Sequence, residues 1–121
     1  LPSLAYAQAI QRRAARAGFA WENEQQVWEA LEEELEELRQ AETPEDKRGE
    51  LGDTLFALAS LARHLDIDAE DALRSASGGF TRLFETMESM IAERGIDLKQ
   101  ADIDTKLALW EEAKAGAGRK S

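Results

Sequence analysis

From residue 45 to residue 121 the chain contains no proline, and the two it has stand at positions 2 and 44. Proline ends or kinks a helix because its nitrogen carries no hydrogen and its ring collides with the preceding turn. With so few interruptions the chain is free to build long helices, and its capping residues mark where they begin. Ser3 is placed to cap a first helix that Gly18 ends. Asn23 opens a second, with Gln26 in the capping-box position. Thr43 followed by Pro44 is an N-cap with proline at the first helical position, opening a third. Asp68 with Asp71 opens a fourth that Gly95 ends, and a fifth runs from about Asp102 to Lys114. No alternating strand pattern competes with this reading. The expected class is all-α, a bundle of about five helices with short loops. A length of 121 residues suits one domain over 1–121, with 115–121 as a frayed tail. Gly78-Gly79 interrupts the fourth helix, as a kink, a close helix contact or an opening for a ligand.

The segment ALEEELEELRQAE, residues 30–42, crowds Glu32, Glu33, Glu34, Glu36 and Glu37 into six positions. Like charges three or four apart on a helix repel, so the run needs a physical reason. Advancing about 100° per residue from Val27, Leu31, Leu35 and Leu38 gather within about 80°, an apolar stripe for the core. Glu34 lies about 20° from Val27 on this scale, inside the stripe, with Glu37 on its edge and Glu33 one step further out. Glu32 and Glu36 face the other way, towards solvent. A carboxylate held inward without a partner is costly or takes up a proton. A basic side chain from another helix would relieve it, and so would a bound cation.

The third helix, RGELGDTLFALASLARHL, carries a second pair three apart, Glu50 and Asp53. Its expected core stripe is Leu51, Leu55, Leu58, Ala62 and Leu65, with Glu50 on the flank and Asp53 further out. Gly52 removes a side chain beside the pair and permits a close approach. Four carboxylates from two adjacent helices make an all-oxygen site that suits Mg²⁺ or Mn²⁺ rather than zinc. A di-iron bundle wants Glu-x-x-His pairs. The single histidine, His64, has leucine three positions before it and reads as a surface residue.

The charge balance narrows the partners. A net charge of −10 with 15 basic residues repels nucleic acid but accommodates a cation and, through it, a phosphorylated small molecule. No apolar run reaches the roughly 18 residues of a membrane span. The opening residues lack the order of a signal peptide, and no cysteine is present. The expectation is a soluble cytoplasmic protein without nucleic-acid or membrane partners.

Taken together, Glu33-Glu34-x-x-Glu37 followed by Glu50-x-x-Asp53 in ELGDTLF resembles the MazG family of nucleoside triphosphate pyrophosphohydrolases. QRRAARAGFAW ahead of these helices, and GGFTRLFETME and LALWEEAK after them, resemble further segments of the family, so the likeness covers nearly the whole chain. The resemblance implies a four-helix core completed by dimerisation and hydrolysis of an NTP or dNTP to the monophosphate and pyrophosphate. It implies Mg²⁺, with Mn²⁺ as a substitute, held by Glu34, Glu37, Glu50 and Asp53. Glu33 matches the position that orients or deprotonates the attacking water, and Trp110 a tryptophan near the nucleotide whose alternative role is packing.

The chain departs from the family pattern in the fourth helix. Ser77 and Gly79 stand where polar and basic side chains are usual, and Leu83 replaces an arginine, while Arg82 remains. Ser60 stands where asparagine is frequent. Lys47, Arg48, Arg82 and Lys106 are the candidates for gripping phosphate. Arg12, Arg13 and Arg16 share one helix and read as a solvated face, with phosphate as the alternative. Trp21 and Trp28 read as core. Two other functions stay open: a pyrophosphohydrolase of narrower choice, for dUTP, dCTP or phosphoribosyl-ATP, and a non-catalytic helical module that binds nucleotide or another protein.

Assembly follows from the third helix. Phe56, Ala57 and Leu61 widen its apolar surface beyond what one neighbour covers. A homodimer with an apolar interface is expected, with dimer and tetramer not distinguished.

Overall fold

The computed structural model describes residues 1–117. Within them the chain forms five α-helices and no strand: α1 (Ser3–Arg16), α2 (Glu24–Gln40), α3 (Pro44–His64), α4 (Ala69–Arg94) and α5 (Ile103–Gly116). It divides into two compact units, Leu1–Leu73 and Arg74–Ser121, with the division inside α4. No helix among the described residues is long and apolar enough to cross a membrane.

The helix starts are set by local chemistry. The Asn23 side chain accepts from Gln26 N–H at 3.0 Å, and Gln26 Oε1 returns the favour to Glu22 N–H at 2.7 Å. Thr43 Oγ1 accepts from Asp46 N–H at 3.1 Å, Asp68 from Asp71 N–H at 3.0 Å and Asp102 from Thr105 N–H at 2.8 Å. Apart from that of Glu22, which lies before the cap, each bond satisfies one of the donors that a first turn leaves without an intrahelical partner. Ser3 does not act this way: it is the first helical residue, Pro2 occupies the cap without a side-chain capping bond, and Ala5 N–H of the first turn donates to Glu70 Oε1 at 3.4 Å.

Three helix ends share one device. Gly18, Asp66 and Gly95 take positive φ, at 95°, 58° and 64°. In each case the next residue's N–H reaches back five positions: Phe19 to Ala14 O at 2.9 Å, Ile67 to Ala62 O at 2.8 Å, Ile96 to Ile91 O at 3.1 Å. This is the glycine-type C-terminal turn, made in the middle case by an aspartate. Gly78 and Gly79 interrupt nothing, because α4 runs through them. The α5 helix continues to Gly116, so Ala115 and Gly116 are helical, while 118–121 of the expected tail lie outside the described residues.

In the first unit, α2 and α3 form a helical hairpin across the three-residue link 41–43, and α1 packs on α3. The core of the hairpin is Val27 and Leu31 of α2 against Leu61 and Ala57 of α3. The α1 helix contributes polar groups: its buried residues are Gln8 and Gln11. Gln8 Nε2 donates to Ala59 O at 3.2 Å and to Ile67 O at 3.0 Å, and its Oε1 accepts from Ala69 N–H at 3.0 Å. One amide thereby ties α1 to α3 and to the start of α4.

The expected stripe on α3 is not the face this unit buries. Leu51, Leu55, Leu58 and Leu65 are 42–48% exposed, whereas Thr54, Ala59, Ser60 and Leu61 are buried. Glu50, Thr54, Ala57 and Leu61 fall within about 60° of one another at 100° per residue, and this narrower face meets α2. Thr54 and Ala57 at its centre are small, and Val27 and Leu31 supply bulk from the other side. Trp21 and Trp28 are exposed rather than core, and His64 is half-buried, accepting from Arg63 Nη2 at 3.2 Å.

The second unit has its own core of Met87, Leu109 and Ala113, with Phe84, Ile91, Leu98 and Trp110 packed on it. Phe80 stacks on Phe84, centroids 6.0 Å apart, and tilts against Trp110 at 5.2 Å. Arg94 pairs with Glu112, joining α4 to α5.

Candidate metal centre and adjoining cavity

Glu34 leaves α2 from the face that carries Val27 and Leu31, and Glu50 leaves α3 from the face that carries Leu61. Packing the two helices therefore drives two carboxylates towards each other. Oxygens of Glu34, Glu50 and Asp53 lie within 4.8 Å of one another. Glu34 and Glu50 are half-buried and Asp53 is exposed. One oxygen of Glu34 and one of Glu50 are fully shielded and accept no hydrogen bond from the chain.

Such an arrangement is unfavourable by itself. Burial raises the Glu34 carboxyl above its ordinary 4.5, and the charges of Glu37, Asp53 and Glu33 add to it. Burial likewise raises Glu50, followed by a shared hydrogen bond with Glu37 and the charges of Glu37, Asp53 and Glu34. The basic partner that would neutralise the pair is not bonded to either shielded oxygen. A hard divalent cation meets both needs at once, supplying charge and accepting oxygen donors. The donor set is thus of the right chemistry for Mg²⁺ or Mn²⁺. Glu37 stands at the edge, beside Glu50, and Glu33 is exposed one position before Glu34.

The remaining sequence candidates are scattered. Lys47 and Arg48 are exposed on the first turns of α3. Arg82 and Trp110 belong to the second unit. There Arg82 Nη1 comes to 3.4 Å from where a Cβ on Gly78 would sit, and Trp110 packs against Phe80 and the unit's core. Ser77 is exposed, while Gly79 and Leu83 are buried. Lys106 is half-buried on α5. A Cβ on Gly52 would meet nothing within 4 Å, so no contact in this chain requires glycine there. Arg13 and Arg16 are exposed, and Arg12 lines a small cavity of about 270 Å³ with Arg63 and Asp66.

A larger cavity, about 590 Å³, opens beside the carboxylates, with Glu34 and Asp53 in its lining. Ile10, Phe19, Trp21 and Phe56 give it apolar walls, and Gln11, Ser60 and Arg63 its other polar groups. Gln11 is 8% exposed; its Nε2 donates to Phe56 O at 3.0 Å, while its Oε1 accepts nothing from the chain. Arg63 Nε is also buried without an acceptor. Gln11, Arg63 and Phe19 were not singled out from the sequence. The available signal was Gln8 and Gln11 three apart among alanines and Ile10, a polar pair on a helix otherwise short of reasons to carry one.

No family model matches the chain. Curated relatives do. The chain is 40% identical over 116 residues to the nucleoside triphosphate pyrophosphohydrolase/pyrophosphatase MazG of Thermotoga maritima, covering 96% of this chain and 46% of that protein. It is 40% identical over 119 residues to the nucleoside triphosphate pyrophosphohydrolase of Escherichia coli K12, covering 94% of this chain and 45% of that protein. A shorter match, 37% over 67 residues, relates 55% of the chain to 14% of the uncharacterized protein YabN of Bacillus subtilis. Over nearly its whole sequence this chain is a homologue of the MazG proteins, and it spans about half the length of the curated relatives it matches.

Proposed function

We propose that this chain hydrolyses nucleoside triphosphates, ribo- or deoxyribo-, to the monophosphate and pyrophosphate, with Mg²⁺ as the cofactor. The observation that carries the reading is the group of Glu34, Glu50 and Asp53, two of whose oxygens are shielded and unbonded, opening on a cavity large enough for an organic ligand. The names of the two long relatives support the substrate and the reaction.

Glu34, Glu50 and Asp53 would hold the ion, with Glu37 completing the set. When bound, Mg²⁺ offsets the repulsion between an acidic protein and a polyphosphate and stabilises charge on the phosphoryl oxygens. Glu33, exposed at the margin, orients the attacking water and takes its proton. The water oxygen forms a bond to the α-phosphorus as the bond from that phosphorus to the pyrophosphate oxygen breaks. The polar and aromatic lining of the cavity binds and orients the rest of the substrate.

The working form is a homodimer. Its support is the row of half-exposed leucines on α3, Leu51, Leu55, Leu58 and Leu65, which a second copy would cover. A second reading, a nucleotide-binding module without turnover, rests on Leu83, a buried leucine at the position where the family resemblance implies arginine. The test is a panel of NTPs and dNTPs with Mg²⁺, following monophosphate and pyrophosphate, on the wild type and on Glu33→Gln. Hydrolysis that disappears in Glu33→Gln while Mg²⁺-nucleotide binding persists is the expected result. Binding without hydrolysis in the wild type selects the module, and no response to any triphosphate discards both.

A further inference from the structure

We propose that Gln11 reads the base of the substrate, with its Oε1 accepting a hydrogen bond from an N–H on the edge of a nucleobase held in the larger cavity. The proposal rests on the functional reading above and gives the cavity its ligand class.

Gln11 is buried, and a buried amide normally satisfies both ends. Here only one end is used. Its Nε2 donates to Phe56 O. A carbonyl oxygen cannot donate, so the amide cannot turn over without placing two acceptors against each other. Oε1 is therefore fixed as an acceptor on a side chain that lines the cavity, shielded from solvent and bonded by no group of the chain. A ligand that leaves it unbonded forgoes that bond, whereas a ligand with a matching N–H satisfies it. Sites built in this way discriminate strongly against analogues that lack the donor.

The surroundings say what kind of donor. Phe19, Trp21 and Phe56 bring three aromatic rings to the cavity, all substantially exposed in the free chain. Such faces suit a planar heterocycle that stacks. Asp53 and Phe56 are three residues apart on α3, about 4.5 Å of helical rise. A single ligand can thus set phosphate at the carboxylates and a flat ring beside Gln11. By contrast Gln8, one turn away on the same helix, has both ends of its amide bonded within the chain.

The test compares each base with a counterpart that lacks the N–H: ATP with purine riboside triphosphate, CTP with pyrimidin-2-one riboside triphosphate, UTP with 3-methyluridine triphosphate. For the base turned over best, removing the N–H should lower kcat/KM about tenfold or more in the wild type, chiefly through KM. In Gln11→Met the two members of the pair should come within about twofold of each other. A purely structural role for Gln11 would weaken both members alike and leave their ratio standing, which overturns the proposal. Equal kcat/KM in the wild type overturns it without any variant. If no triphosphate is hydrolysed, the functional reading fails separately, and the same pairs measured by calorimetry with Mg²⁺ decide Gln11: a tenfold difference in Kd supports its role and equal affinities refute it.

Discussion

Glu34 and Glu50 each place a carboxylate oxygen where the chain supplies no hydrogen-bond partner for it. Each holds an oxygen away from solvent without a hydrogen bond, so each costs the metal-free fold some stability. Replacing Glu34 with glutamine removes the charge but keeps the shape. In EDTA, Glu34→Gln should be more stable than the wild type by about 1 kcal/mol, read from urea unfolding. Adding Mg²⁺ should then stabilise the wild type and leave the variant unmoved. A variant less stable than wild type in EDTA would mean that Glu34 already has a favourable partner. The acid dependence has a definite sign. Both carboxyls are raised above 4.5 in the folded chain, so the folded state holds protons that the unfolded state has released. Their contribution is fullest below 4.5 and is lost as pH climbs through the raised values. The urea midpoint in EDTA should fall over that climb, and the fall should shrink in Glu34→Gln and vanish with saturating Mg²⁺.

Among the elements, α1 is held by amides, and α3 packs against α2 and α1 while its row of leucines stays half-exposed. Gln8 is bonded at both ends to three backbone groups, whereas Gln11 uses one. Gln8→Met should cost about 2 kcal/mol by leaving Ala69 N–H and Ile67 O without their partner, and Gln11→Met clearly less. Comparable losses in denaturant titrations would contradict that division. These two helices also separate what was legible in the sequence from what was not. The starts of α2, α3, α4 and α5 were readable at Asn23, Thr43, Asp68 and Asp102, because a cap needs only its own next three residues. The inward direction of Glu34 was readable too, since α2 has one apolar stripe and 3.6 residues per turn fixes the angle. The direction of α3 was not. Its apolar residues surround most of its circumference, and which of them face inward depends on the size of residues that α2 presents. The face of Thr54 and Ala57 won over that of Leu55 and Leu58 because small residues admit Val27 and Leu31. The role of Gln11 was hidden for the same reason: its environment is made by Phe56 and Trp21, distant in sequence.

For the whole molecule, the leucines displaced from that face become the evidence for assembly. Leu55→Glu combined with Leu58→Glu should convert a dimer into a monomer in sedimentation at low micromolar concentration, with the helical content retained. A wild type already monomeric there would remove the proposed dimer and leave the α3 leucines without a role. The position of Trp21 has an optical consequence. The sequence has three tryptophans. Trp110 is packed in the second unit, Trp28 bonds Glu24 through its indole N–H, and Trp21 is the one in the lining of the larger cavity, half in solvent. A protein carrying Trp28→Phe and Trp110→Phe would emit from Trp21 alone. A ring stacking on that indole should shift and quench its emission as Mg²⁺-nucleotide is added. The chain therefore carries an intrinsic fluorophore in the wall of the cavity, so occupancy can be followed without a label or turnover.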